Sequence, residues 1–256
     1  MRDGFISDLT LNLPPCASCL VKQFAVCSDS EAAALQALED AKIYHKFSEG
    51  ELIGSAGQTP SFVGTIMSGA ILLADYTAGG DKQNLAIMYT GDFLGRPGLA
   101  TNPFEVQALT NVEICGFRPR VFDDLLANFP DLQNRLVQMM FDELDTAHEW
   151  MLIIGRKTAT EQVASIIVQM AYRQHKLSNK TIDRHNIEVQ LLLKRHHMAD
   201  FLGITHETVS RIFSDFVRNG IVRLVGKSRY DLLIPDFDKL LEIAGIDDDG
   251  GFISRS

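Results

Sequence analysis

Apolar and polar positions follow three textures along this chain. From Lys46 to about Phe122 the apolar residues come in short runs, at 62–67, 70–76, 85–89 and 114–117. Turns such as Ser68-Gly69, Gly79-Gly80 and Gly91-Asp92 separate them. Even spacing of short strands and glycine-bearing turns predicts an antiparallel sandwich or roll. After Pro130 the period changes. Leu132, Leu136, Met140, Leu144, Ala147, Met151 and Ile154 recur at spacings of three and four. That is the period of a coiled-coil seam, and it predicts one long helix ending near 154. Leu136, Met140, Leu144, Ala147, Met151 and Ile154 are its candidate dimerisation residues. The plainer alternative is one buried helix of a globular core. Ahead of the strands, 30–44 reads as a helix with Glu31 in its first turn and Leu35 and Leu38 as apolar contacts. Residues 1–28 show no period, and Pro14-Pro15 excludes a helix there.

The third texture covers 194–220. Ala199, Gly203, Val209 and Ile212 fall at helix-turn-helix spacing. Ala199 is small where two helices cross, and Gly203 lies in the tight turn between them. Thr205 is the expected N-cap of the second helix. Val209, Ile212, Phe213 and Phe216 form its apolar face. Glu207, Ser210, Arg211 and Ser214 form the other face, and with Thr205 and His206 they are the candidate DNA contacts. Arginine can bond guanine bidentately and glutamate can accept from cytosine. The plain alternative is an amphipathic helix with a solvated face. Downstream, 221–225 and 230–234 read as two strands of a wing around Gly226-Lys227-Ser228. Lys227 and Arg229 would meet phosphates there.

Charge strengthens the nucleic-acid reading. The net charge of −9 hides a basic segment: 156–235 carries 13 Lys/Arg against 7 Asp/Glu, and the remainder 11 against 26. An acidic body joined to a basic part suggests a DNA-binding unit attached to something else. Length (256 residues) suits one or two domains, and 46% hydrophobic residues suffice for real cores. No apolar run approaches the ~18 residues of a membrane span. The first residues lack a signal-peptide core. A cytoplasmic protein is expected, with no membrane partner.

Four cysteines remain: Cys16-x2-Cys19-x7-Cys27, and Cys115 far downstream. In a reducing cytosol they are not a disulfide framework. Soft thiolates select zinc, copper(I) or an iron–sulfur cluster. Spacing alone leaves zinc and iron–sulfur equal, with inert buried thiols as the plain reading. A redox enzyme would need a cofactor or substrate motif. There is no Gly-x-Gly-x-x-Gly, no phosphate loop and no His-Glu-x-x-His. His196-His197 opens the first DNA-domain helix, His148, His175 and His206 are scattered, and Trp150 reads as a packing residue. A non-enzyme is expected.

A β-roll, a long helix and a winged helix-turn-helix in that order resemble the CRP/FNR superfamily of bacterial transcription regulators. Glu207-Thr208-Val209-Ser210-Arg211 resembles the E-x-x-S-R motif of its FNR branch. Leu144 to Leu152 with Gly155-Arg156-Lys157-Thr158-Ala159, Gly95-Arg96-Pro97-Gly98 and Met198 to Gly203 are similar to the FnrL/FnrN group. The resemblance implies an α+β architecture: a cyclic-nucleotide-binding-like jelly roll, a dimerisation helix and a winged helix-turn-helix. The corresponding segments are 1–29 (cysteine-bearing), 30–128 (β-roll), 129–155 (dimer helix), 156–240 (DNA-binding) and 241–256 (tail). It further implies that Cys16, Cys19, Cys27 and Cys115 ligate one 4Fe–4S cluster, with zinc or a thiol switch as the alternative. An oxygen-labile cluster would then control a homodimer that binds a TTGAT-N4-ATCAA-like palindrome in double-stranded DNA and recruits RNA polymerase. Acidic Asp142, Glu143 and Asp145 are candidates for keeping the dimer seam marginal. A cyclic nucleotide is not expected. Arg96 stands where that branch needs a glutamate for the ribose, and Asn102-Pro103 where it needs Arg-Ser for the phosphate.

Overall fold

The computed structural model describes residues 15–76, 79–80, 82–177, 184–226 and 230–246. The first 14 residues, Lys227 and Arg229 of the expected wing, and the acidic stretch from Asp247 lie outside them. A 3-10 turn (Cys16–Ser18) is followed by helix α1 (Ala32–Ala41) and strands β1 (Ile43–Phe47), β2 (Leu52–Gly54), β3 (Val63–Ser68) and β4 (Ala70–Tyr76). Then come β5 (Lys82–Tyr89), β6 (Phe93–Leu94), β7 (Glu105–Ala108) and β8 (Val112–Phe117). Helices α2 (Pro119–Asn128), α3 (Pro130–Arg156) and α4 (Ala159–Leu177) lead to strand β9 (His185–Gln190). Next come α5 (Arg195–Leu202), α6 (His206–Arg218), β10 (Arg223–Leu224), β11 (Asp231–Asp236) and α7 (Phe237–Ala244).

Strand periodicity builds a stack of layers. One antiparallel sheet has the order β1-β8-β3-β6 and the other β2-β7-β4-β5. Side chains alternate across a strand, so β4 sends Ile71 and Leu73 into the roll. Its other face, Ala70 and Leu72, joins the core of the C-terminal half. Likewise β8 sends Val112 and Ile114 inward and turns Cys115 and Phe117 outward. That outer face is covered by Val26 of the cysteine-bearing segment, by α1 and α2, and by Leu132 and Leu136 of α3.

Three expectations need correction. The first helix starts at Ala32 and stops at Ala41, because Ile43 onward pairs with β8 as a strand. Leu136 is 6% exposed and packs with the roll's outer layer, so its side chain is engaged within the chain rather than on the outward stripe. Its neighbour Val137 is 43% exposed and faces outward instead. Third, α7 carries the DNA-binding unit past 240, since Leu240, Leu241 and Ala244 are buried in its core. The wing hairpin also gains a third strand, giving the order β10-β11-β9.

Ten consecutive residues of α4, Gln162 to Ala171, are buried. The joint before it is bolted. Lys157 Nζ donates to the Ala244 carbonyl at the end of α7 (2.6 Å) and to Ser165 Oγ (3.1 Å). Gln162 Nε2 donates to the Ile154 and Lys157 carbonyls (3.2 Å each). Trp150 on α3 meets Phe201 of α5 edge-on at 4.7 Å, a packing role as expected.

Candidate functional site

The first candidate is the α5–turn–α6 unit. Gly203 ends α5 in the left-handed conformation (φ 67°), where glycine carries no steric penalty. Three residues, 203–205, separate the helices. Thr205 Oγ1 accepts from the Thr208 N–H at 3.2 Å and caps α6. Val209, Ile212, Phe213 and Phe216 are buried. Burial of this face leaves the opposite one outward: Glu207, Arg211 and Ser214 are exposed and Ser210 half-exposed. Thr205 and His206 are exposed at the N-terminal end. Among the described residues neither Glu207 nor Arg211 is in an ion pair. Ser214 instead donates back to the Ser210 carbonyl (2.9 Å). The helix therefore offers an acceptor and a forked donor one turn apart, the pairing that reads base edges in a major groove.

The second candidate is the thiol region. Cys115 lies on β8 opposite Tyr44 and Thr65. Cys16 opens the 3-10 turn, and its N–H donates to Glu39 Oε2 of α1 at 2.6 Å. Lys42 pairs with the same carboxylate (2.5 Å). The bond from Lys42 and the Cys16 N–H together hold Glu39 well down, to about 2. Burial pushes the Cys115 thiol up to about 12, helped by the negative charge that Cys16, Cys27 and Cys19 would each carry. Burial and then the bond to Glu39 push Cys16 to about 12. Burial and then Cys19 raise Cys27. Charge on Cys16, Cys19 or Cys27 would thus be felt at Cys115, and Cys27 and Cys115 pack against the same apolar layer. All four are free and half-buried. At neutral pH Cys16 and Cys115 are thiols, poor nucleophiles compared with an activated cysteine. Among the described residues no three His, Cys, Asp or Glu side chains stand in ready ligating geometry. The donor set suits a soft metal centre by its chemistry, four sulfurs, with the Glu39 carboxylate beside Cys16 held by Lys42 and the Cys16 N–H.

The candidate seam residues Met140, Leu144, Ala147, Met151 and Ile154 are all exposed on α3. With Val137 they form one stripe at spacings of three and four. Glu143 is not part of it. The charges that act on it are those of Asp92, Arg96 and Arg173, toward the body of the molecule. Sequence reasoning also missed Arg135, Asp92 and Arg173, which join elements far apart in the chain and carry no periodic signal.

A β-roll joined by one long helix to a winged helix-turn-helix defines a two-domain DNA-binding regulator. The Crp-like helix-turn-helix domain family matches residues 161–243, and the cyclic nucleotide-binding domain family matches 44–129. The transcriptional activator protein FnrL of Cereibacter sphaeroides is 37% identical over 92% of this chain and 94% of its own length. The nitrogen fixation regulation protein FixK of Bradyrhizobium diazoefficiens is 30% identical over 82% of this chain and 86% of its own. The structure of FixK2 from Bradyrhizobium japonicum shares the fold, with a TM-score of 0.68 at 22% identity, covering 79% of this chain and 96% of that one. The chain belongs to the Crp/FNR family of transcription regulators. The relatives it matches are transcription regulators, not enzymes. Among the described residues no helix is long and apolar enough to cross a membrane.

Proposed function

We propose that this chain is an oxygen-responsive transcription activator that works as a homodimer. The observation that carries the reading is the packing of Cys27 and Cys115 against one apolar layer of the roll, the layer that also holds Leu132 and Leu136 at the start of α3. Cys16, Cys19, Cys27 and Cys115 would hold a 4Fe–4S cluster, which when bound supplies oxygen-reactive chemistry. The chain's own part is mechanical. Val26 and Cys27 pack among Phe117, Phe122, Leu132 and Leu136, so a drawn-in segment supports the helix that carries the seam. Two chains paired through Val137, Met140, Leu144, Ala147, Met151 and Ile154 would present two α6 helices to one face of DNA. Half-sites one turn, roughly 34 Å, apart suit a palindrome such as TTGAT-N4-ATCAA. From that position the dimer would recruit RNA polymerase.

A cyclic nucleotide does not suit the roll. Its interior is filled by Phe62, Ile66, Ile71, Leu73, Met88 and their neighbours. Among the described residues of the roll the buried polar side chains are Thr65 and Asn84, neither of them an arginine that could meet a phosphate.

The test is an absorbance spectrum and metal analysis of anaerobically purified protein. A broad band near ~400 nm that bleaches in air, with iron present, is expected. Cys115→Ser should abolish it. Colourless protein containing zinc would replace this reading with a structural metal site.

A further inference from the structure

A group of charges lies where four parts of the molecule meet: the cysteine-bearing segment, the roll, the long helix and the DNA-binding unit. Arg135 on α3 donates from Nη2 to the Phe24 carbonyl (3.3 Å) and from Nε to the Ala25 carbonyl (3.5 Å). Both carbonyls belong to the stretch between Cys19 and Cys27. The Phe24 side chain presses on Gly91 in the β5–β6 turn. There a Cβ would come within 3.0 Å of Phe24 Cβ, and φ is +97°. That turn is clamped to β3 by Gly91 N–H to the Ile66 carbonyl (2.8 Å) and Ile66 N–H to the Asp92 carbonyl (2.9 Å).

The next residue reaches the other way. The Asp92 carboxylate accepts from its own turn, the Tyr89 N–H, at 2.8 Å. It also accepts from Arg173 Nη1 of α4 at 3.0 and 3.2 Å. The Arg173 guanidinium lies over the Tyr89 ring, 4.7 Å from its centre. Only 23% of this arginine side chain is exposed. A largely buried ion pair loses much if one partner is removed, because the other is left uncompensated. Lys176, one turn further along α4, lies in the field of both Arg173 and Arg135, with Asp142 and Asp92 opposing them. The two arginines are linked through contacts: Arg135 holds Phe24, Phe24 lies against Gly91, and the neighbouring Asp92 holds Arg173.

We infer that Arg135 and the Asp92–Arg173 pair form a single junction through which the cysteine-bearing segment positions the DNA-binding unit, without passing through the dimer seam. Arg135 and Arg173 are positioning residues: they lie on α3 and α4, outside both the α5–α6 unit and the cysteine-bearing segment. Contiguous networks of this kind couple distant elements when both ends press on one rigid piece, here the 89–93 turn. The purpose of the coupling rests on the sensory role proposed for the thiols. Its existence does not, so the test uses metal-free protein.

Hydrogen–deuterium exchange is measured on the full chain and on Arg135→Gln and Arg173→Gln. Residues coupled in one charge network shift each other's opening equilibria by about tenfold. Arg135→Gln should accelerate exchange by about that factor in 19–27 and also in α4 and α5. Arg173→Gln should do so in α4 and also in 19–27. Acceleration confined to the element that bears the substitution would overturn the junction. If a glutamine variant opens everywhere, Arg135→Lys and Arg173→Lys, which keep the charge and lose the fork, are judged by the same pattern. A protein that shows the cross-effect yet binds no iron keeps the junction and loses the oxygen-sensing role. Iron binding without the cross-effect does the reverse.

Discussion

Glu207 and Arg211 stand one turn apart at the exposed end of α6, where the Thr205 cap fixes the first turn. Side chains that read bases change preference more than they change affinity. Glu207→Ala and Arg211→Ala should each cost about 1–3 kcal/mol on the preferred site and relax discrimination at one base position. Binding titrations against a set of half-site variants measure this, and a uniform loss on all sequences would mean phosphate contact instead. Glu149 behaves differently. It is 8% exposed, and burial raises its carboxyl to about 7, with Lys157 opposing and Asp145 assisting. The folded chain therefore holds this proton more tightly than the unfolded chain, whose value lies near 4.5. Stability is fullest below that value and declines as pH rises to about 7. Glu149→Gln should be more stable than wild type at pH 8, on the order of 1–2 kcal/mol, and no more stable at pH 4. Urea melts at the two pH values decide it. The recognition face was readable from sequence because one short helix carries all of it. Glu149 was not, since its burial depends on the α3–α4 joint.

The long helix has two faces with two tasks, and a single step along it switches between them. Leu136 fills the outer layer of the roll and Val137 looks outward. Leu136→Ala should cost about 2–5 kcal/mol of folding stability. Val137→Asp should leave the single chain's melting nearly unchanged and abolish dimers in sedimentation. The opposite pairing would restore Leu136 to the seam. The repeat of three and four was legible in the sequence, but both residues are aliphatic and only tertiary packing sets the phase. Other elements gave weaker signals. Helix α4 is buried on every side over ten residues, so it shows no amphipathic stripe. Strands β2 and β6 span three and two residues, too short for alternation to register. The longer strands β4 and β5 were plain because their runs end at glycine turns.

At the scale of the whole molecule, one core crosses the domain boundary. Ala70, Leu72, Tyr89 and Leu109 of the roll are buried with Ile166, Met198 and Phe201 of the DNA-binding unit. Shared burial predicts shared unfolding. The single tryptophan, Trp150, should lose its native fluorescence at the same urea concentration at which far-UV circular dichroism collapses. Tyr89→Ala should separate the two transitions, and two separate transitions in wild type would show that the shared core does not couple them. The sequence announced two units through its charge asymmetry. It could not announce their contact, because each contributing strand reads as an ordinary buried run. A last consequence comes from the stripe on α3, where Met151 is 71% exposed. In the proposed homodimer that open stripe closes by meeting its copy on a second chain, so pairing obeys mass action. When chains are scarce, promoter occupancy then rises with the square of their number. Halving the gene dose would leave about a quarter of the output, which makes the abundance of the regulator an input of its own.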